Sequence, residues 1–366
     1  MDSYHRLKPF FLPLLFILLI GCSHPPHRVD RAYYYWKTGE ASDSERNFLK
    51  VQGIHKLYVR QLDVDWNDVQ GPIPVTGTSI ETLNDQLVRY DSFAVQMVPV
   101  VFITNKIFER ISTSDIPLLA KRLVRRCLPA YDSVDIRYEQ NHYMRNYGGP
   151  IKPKEIQFDC DWTVKTSAAY FQFLKEVRKL TPDSVIISAT IRLHQFKYPG
   201  KTGVPPVNRG MLMVYNISDP KQYTPEQSIF DITKARSYFD HTKKYQLPLD
   251  IALPAWSWCL VFRNHQFYQI ENGITESDLQ QQAFLKHTGN HYYQVTQDTT
   301  YRDLFLRPGD EIKAERVDDT LLQQAAQLAG KAVNTPDFTV TLFDLSEQEI
   351  NRYSHETINQ VYSSFR

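Results

Sequence analysis

The stretch EIQFDCDWT, residues 155–163, reads with a period of two. On an extended chain Ile156, Phe158, Cys160 and Trp162 share one face, while Glu155, Gln157, Asp159, Asp161 and Thr163 share the other. One face is apolar and the other almost wholly polar. In a closed barrel of strands the outward face packs on helices and needs the apolar set, so the carboxylates are expected to point inward.

Seven further runs have strand character: AYYYW (32–36), KLYVRQL (56–62), VQMVPVVFI (95–103), SVIISATIRL (184–193), GMLMVYN (210–216), DIALPAWSW (250–258) and FTVTLFDL (338–345). Stretches of helical period, such as SDSERNFLKVQG, SDIPLLAKRLVRRCL and TSAAYFQFLKEVRKL, fall between most of them. Eight strands alternating with helices predict an α/β fold, a (β/α)8 TIM barrel over 31–366. The alternative is a doubly wound open sheet, but no glycine-rich phosphate turn follows the first strand. Two connections depart from the ideal. Between the fifth and sixth strands the prolines and glycines of HQFKYPGKTGVPPVNR forbid a long helix. Between the seventh and eighth an insertion is expected at about 259–335, with hairpin-like segments from HYYQVTQD through PGDEIKAERV.

The N-terminus predicts an address. His5, Arg6 and Lys8 precede an apolar run from Phe10 to Ile20, the pattern of an export signal over 1–21. Leu19, Ile20, Gly21 and Cys22 resemble a bacterial lipobox, which implies acylation of Cys22, a tether over 22–30 and anchoring to a membrane of the cell envelope, on its periplasmic or surface side. A formal net charge of +1 gives no hint of a nucleic-acid partner. Beyond Cys22 the cysteines are Cys127, Cys160 and Cys259, an odd number without the spacing of a zinc site, and no metal or cofactor is implied.

Candidate chemistry gathers at strand ends. Asp159 and Asp161 would lie about 6.6 Å apart along one strand face, close enough for each to raise the other's pKa and make one a proton donor. The alternative is that arginines bind them and seal the barrel mouth. The same alternation groups Ser188, Thr190, Arg192 and His194, with Arg192 as the cation facing the aspartates and His194 as a hydrogen-bonding residue. Met213 and Tyr215 share a face, as do Trp256 and Trp258, whose indoles offer planes for a sugar ring or else fill the core. Arg60, Asp63, Asp65 and Trp66 after the second strand, and Asp344 at the end of the eighth, fall on the C-terminal rim, where barrel enzymes keep their sites.

FDCDWT, MVYN and LPAWSW resemble, in order and spacing, the chitinase-like glycoside hydrolases of family eighteen, whose fourth strand carries D-x-x-D-x-D-x-E and whose sixth carries M-x-Y-D or M-x-Y-N. Longer phrases such as LYVRQLDVDW and DIALPAWSW resemble an uncharacterised family of bacterial lipoproteins with barrel folds. The chitinase resemblance implies a glycan ligand and a substrate-assisted route, with Asp159 and Asp161 as the inner aspartates and Tyr215 and Asn216 as the strand-six pair. Ile156 replaces the first aspartate, and Thr163 replaces the proton-donating glutamate. As a hydrolase the chain would use Asp161 as acid, Asp159 as its partner, Arg192 to tune them and Tyr215 to position substrate. Trp256, Trp258, Asn216, Met213, His194, Arg60 and Asp63 would bind the glycan. Two alternatives remain open: a binding protein without the donor, and a structural lipoprotein. A glutamate opposite Asp161, such as Glu139 or one in the insertion, would restore a two-carboxylate mechanism.

Overall fold

The computed structural model describes residues 28–91, 93–128, 152–240 and 244–365. Residues 1–21, where an export signal is expected, together with Cys22 and Glu139, lie outside these residues. Strands are numbered along the chain: β1 (Arg28–Tyr35), β2 (Lys56–Asn67), β3 (Gly71–Thr76), β4 (Gln96–Ile103), β5 (Glu155–Asp159), β6 (Ile186–Arg192), β7 (Arg209–Met213) and β8 (Leu249–Pro254). After these come β9 (Ser257–Arg263), β10 (Gln266–Asn272), β11 (Leu285–Gly289), β12 (Tyr292–Val295), β13 (Thr299–Tyr301), β14 (Leu304–Leu306), β15 (Glu311–Arg316) and β16 (Asp337–Phe343). Eight of them pair in parallel in the order β1-β16-β8-β7-β6-β5-β4-β2, and β1 pairs with β2 to close the ring. This is the expected (β/α)8 barrel.

The period of two holds over β5, which ends at Asp159 and not at residue 162 as the sequence implied; beyond it Trp162 still packs outward and Asp161 still lines the mouth, but Thr163 turns away to solvent. Phe158 packs edge-on against Phe173 of the helix Ser167–Leu180 at 5.2 Å, and Trp162 stacks on Tyr170 of the same helix at 5.4 Å. Each such aromatic contributes about 1.5–3 kcal/mol through the apolar area it removes from water. The inward face at the N-terminal end forms a polar floor. Lys56 Nζ lies 2.8 Å from Glu155 Oε2, Ser188 Oγ donates to Glu155 Oε1 at 2.6 Å, and Tyr34 donates to Gln157 at 2.5 Å. Arg209 grips Asp250 with two bonds of 2.9 and 2.8 Å, and the Thr339 N–H reaches the same carboxyl at 2.7 Å.

Three local expectations need correction. DIALPAWSW is not one strand: β8 stops at Pro254, and after Ala255 and Trp256 the chain enters β9 of a second sheet. That antiparallel sheet, in the order β10-β9-β15-β12-β11, is the insertion between the seventh and eighth barrel strands. The helix Asp319–Ala329 that follows it returns to pack on β8. Next, β2 does not end at residue 62. It runs to Asn67, bulges between Arg60 and Leu62, and folds back through β3, so Asp63, Asp65 and Trp66 sit in a two-stranded ribbon. Finally, β6 ends at Arg192, and His194 lies on a short helix, Leu193–Lys197, whose N-cap is tied down by Gln195: the Arg192 N–H donates to Gln195 Oε1 at 2.7 Å. As the prolines and glycines required, the link from β6 to β7 holds short helical turns, Leu193–Lys197 and Pro199–Thr202.

Candidate functional site

At the C-terminal ends of the barrel strands lies a cavity of about 660 Å³, within the range of small-ligand sites. Strand ends supply its base: Arg60 from β2, Phe102 from β4, Asp159 from β5, Arg192 from β6 and Met213 from β7. The turn after β7 adds Tyr215 and Asn216, and the corner between β8 and β9 adds Trp256. The insertion supplies Trp258, Ile270 and Asn272 as a further wall, and the segment after β16 supplies Asp344 and Glu349.

Asp159, at the end of β5, and Asp161, just beyond it, differ in environment. Asp159 is buried and accepts from Thr190 Oγ1 at 2.7 Å. Burial, reinforced by the neighbouring charge of Asp161, pushes its carboxyl up from 3.8 to about 7. Asp161 has a side chain 54% exposed and stands 3.5 Å from the Arg192 guanidinium. Arg192 thus faces Asp161 as the strand alternation implied. Asp344 is also pushed up to about 7, first by burial and then by Glu349. Glu349 in turn accepts from the Ser257 N–H at 3.2 Å and hydroxyl at 3.1 Å and pairs with Arg352 at 3.2 Å.

Aromatic rings shape the rest. Tyr215 meets Trp256 edge to face at 4.9 Å, and Phe343 packs on both, 5.7 Å from Tyr215 and 5.2 Å from Trp256. Trp256 and Trp258 have centroids 6.0 Å apart with planes at 76°, so the indoles form a corner and not a flat platform. Three polar atoms of the cavity lining are buried with no hydrogen-bond partner among the described residues: the Tyr215 hydroxyl, Asn216 Oδ1 and Glu349 Oε2, of which the last lies 3.2 Å from the Arg352 guanidinium. Asn216 adopts a left-handed φ of 52°, which turns the chain out of the barrel directly after Tyr215.

Of the residues singled out from the sequence, the cavity brings together Asp159, Asp161, Arg192, Met213, Tyr215, Asn216, Trp256, Trp258, Arg60 and Asp344. His194 lines an adjoining cavity of about 550 Å³ whose wall includes Asp161, Arg192, Asn216 and Trp258. Burial lowers the His194 pKa, and Arg192 adds to the effect. Asp63 is not on the wall: its carboxyl is engaged by Arg60 from the same bulged strand. Asp65 accepts from Thr104 at 2.6 Å, outside the cavity. Thr163, in the position of the family's proton donor, is exposed, does not line the cavity, and bonds through its N–H to Thr166 Oγ1 at 2.9 Å. Trp36 and Phe102, aromatics at the ends of barrel strands, also line the cavity. Ile270, Asn272 and Glu349 carried no signal in the sequence, since their place depends on how the insertion and the C-terminal segment fold over the mouth.

No family model matches the chain, and no curated protein does. Among solved structures it is similar to the spore cortex-lytic enzyme SleL of Bacillus cereus, at 13% identity and TM-score 0.50 over 93% of this chain and 75% of that one. It is similar to a chitinase from Chromobacterium violaceum, at 9% identity and TM-score 0.52 over 91% of this chain and 98% of that one. A third likeness is to catalytic domain 2 of the Group II chitinase of Ostrinia furnacalis, a mutant solved in complex with penta-N-acetylchitooctaose, at 10% identity and TM-score 0.50 over 91% of this chain and 95% of that one. At such identities the likeness is one of fold.

Proposed function

We propose that this chain is a lipid-anchored, glycan-binding barrel of the bacterial cell envelope, whose ligand sits at the barrel mouth in the corner of Trp256 and Trp258. The observation that carries the reading is that corner together with the unpartnered Tyr215 hydroxyl and Asn216 Oδ1 beside it. An indole face suits the C–H face of a pyranose, and a buried polar atom without a partner costs about 1–3 kcal/mol until something bonds to it. The neighbours whose printed names are a cortex-lytic enzyme and chitinases support an N-acetylated glycan as the ligand class. Binding is favoured over cleavage because Thr163 stands outside the cavity and offers no acid to a leaving group.

A second reading, hydrolysis, is favoured by the setting of Asp159, whose carboxyl lines the cavity and is pushed up to about 7 by burial and by the neighbouring charge of Asp161. In that reading Asp159, and not Asp161 as the sequence suggested, is the acid, because Asp161 is more exposed and engaged by Arg192. Calorimetric titration with N-acetylglucosamine oligomers, alongside a reducing-end assay on the same oligomers and on peptidoglycan fragments, separates the readings. Binding without new reducing ends, weakened about tenfold or more by Trp256→Ala, supports the binding protein. New reducing ends that vanish in Asp159→Asn support the hydrolase, and neither binding nor cleavage removes the glycan proposal. The anchor is tested separately: Cys22→Ser is expected to move the protein from the membrane to the soluble fraction.

A further inference from the structure

Trp258 forms part of the wall of both cavities, so its ring orientation affects ligand contact on either side. It is carried on β9, where its register partner across the insertion sheet is Glu315 of β15. Glu315 is 1% exposed, and its Oε2 accepts from the Trp258 indole N–H at 2.9 Å, from the Ser228 hydroxyl at 2.5 Å and from the Ser228 N–H at 3.0 Å. Its other oxygen stands 2.6 Å from Nζ of Lys313, which is also 1% exposed and donates to the Glu226 carbonyl at 2.5 Å. Lys313 and Glu315 are two apart on β15 and therefore share a face. Removing such a pair from water is costly, and well-packed apolar residues in its place are often as stable or more so. The network is therefore poorly explained by stability alone. What it achieves geometrically is specific: it fixes the indole at its nitrogen and ties the segment 226–228, which follows β7, to the insertion sheet.

We propose that Glu315 is a positioning residue for the ligand site: it holds the Trp258 ring in the plane that completes the aromatic corner, so the insertion sheet sets the shape of the cleft where the two cavities adjoin. The inference rests on the glycan-binding reading of the site. Glu315 touches no ligand; it acts through Trp258.

The experiment uses the full chain and a tetramer of N-acetylglucosamine as probe. Glu315→Gln keeps an oxygen for the indole and for Ser228 while leaving Lys313 without its charge partner; Glu315→Ala removes both. The expected result is a lowered thermal midpoint in both variants, affinity within about twofold of the parent for Glu315→Gln, and a loss of about tenfold for Glu315→Ala. In a Trp258→Ala background the Glu315→Ala change is expected to add nothing further, since both act through one ring. Acrylamide quenching of the Trp258 emission, taken as the difference from a Trp258→Phe protein, should rise for Glu315→Ala and stay at the parent value for Glu315→Gln. Equal affinity losses for the two Glu315 variants, additive losses in the Trp258→Ala background, or unchanged quenching in Glu315→Ala would overturn the proposal. Should Glu315→Ala fail to fold, Ser228→Ala decides it: increased quenching supports the network's hold on the ring, and parent quenching contradicts it. If the parent binds no tetramer, the glycan reading fails, while the quenching comparison still tests whether Glu315 fixes the ring.

Discussion

The floor and the mouth of this barrel are built from the same strands yet treat their polar groups in opposite ways. At the floor each charged group has a close partner: Lys56 with Glu155, Arg209 with Asp250, and Ser188, Tyr34 and Gln157 in a connected network. At the mouth Asp159 is buried beside another acid, and the Tyr215 hydroxyl and Asn216 Oδ1 go without partners among the described residues. A satisfied polar network rigidifies a core, whereas a half-satisfied one costs free energy and persists where a ligand completes it. On the proposed reading the lower half of the barrel serves stability and the upper half binds the ligand, in line with the general division of labour in this fold.

Substitutions can break that contrast or sharpen it. The largest expected effect is at the floor: Glu155→Ala strands Lys56 in the barrel and should cost about 3–5 kcal/mol in denaturant unfolding. Its ligand affinity, measured on the protein that remains folded, should match the parent. Next is the pH dependence of the mouth. The native Asp159 carboxyl holds its proton to about 7, whereas the unfolded chain loses it near 3.8. The native state therefore binds more protons between those values; the stability this lends is fully present below about pH 4 and is lost as pH rises through 7. Asp344 acts in the same direction. Urea midpoints should fall between pH 4.5 and 8, and Asp159→Asn should flatten that fall by a few kcal/mol; an equally steep fall in the variant would show that another group is responsible. A smaller effect is expected from Tyr215→Phe, which removes a buried hydroxyl that has no partner among the described residues: stability raised by about 1 kcal/mol and affinity for N-acetylglucosamine oligomers lowered about fivefold. The smallest is Thr163→Glu, which restores the letter of the chitinase pattern at an exposed position outside the cavity; neither affinity nor reducing-end release should change.

How much of this was legible in the sequence follows from how far each signal is local. Alternation of Ile156 and Phe158 with Glu155, Gln157 and Asp159 is a property of one strand, and it oriented Asp159 toward the mouth; Asp161 reaches the same cavity from just beyond the strand. The eight strands and the resemblance to chitinase-like barrels likewise agree with the observed fold and its likeness to a chitinase. What escaped were choices made by partners distant in sequence. The run DIALPAWSW has strand propensity throughout, but Ala255 bonds to the Phe343 carbonyl at 2.7 Å while Ser257 already pairs with Arg316 in the other sheet, so the run divides between two sheets. Asp63 stays in register with Phe102 of β4 at the rim, but its carboxyl is taken by Arg60 across the bulge and does not line the cavity. The perpendicular setting of Trp256 and Trp258 depends on that sheet switch, and no period in the sequence encodes it.

The central claim, that the unsatisfied mouth is where a glycan binds, is tested most directly by a crystal structure with a saturating tetramer of N-acetylglucosamine. The account predicts a pyranose ring in the corner of Trp256 and Trp258, with the Tyr215 hydroxyl and Asn216 Oδ1 both bonded to it. A sugar bound elsewhere on the molecule, or a mouth that stays empty at saturation, would contradict it.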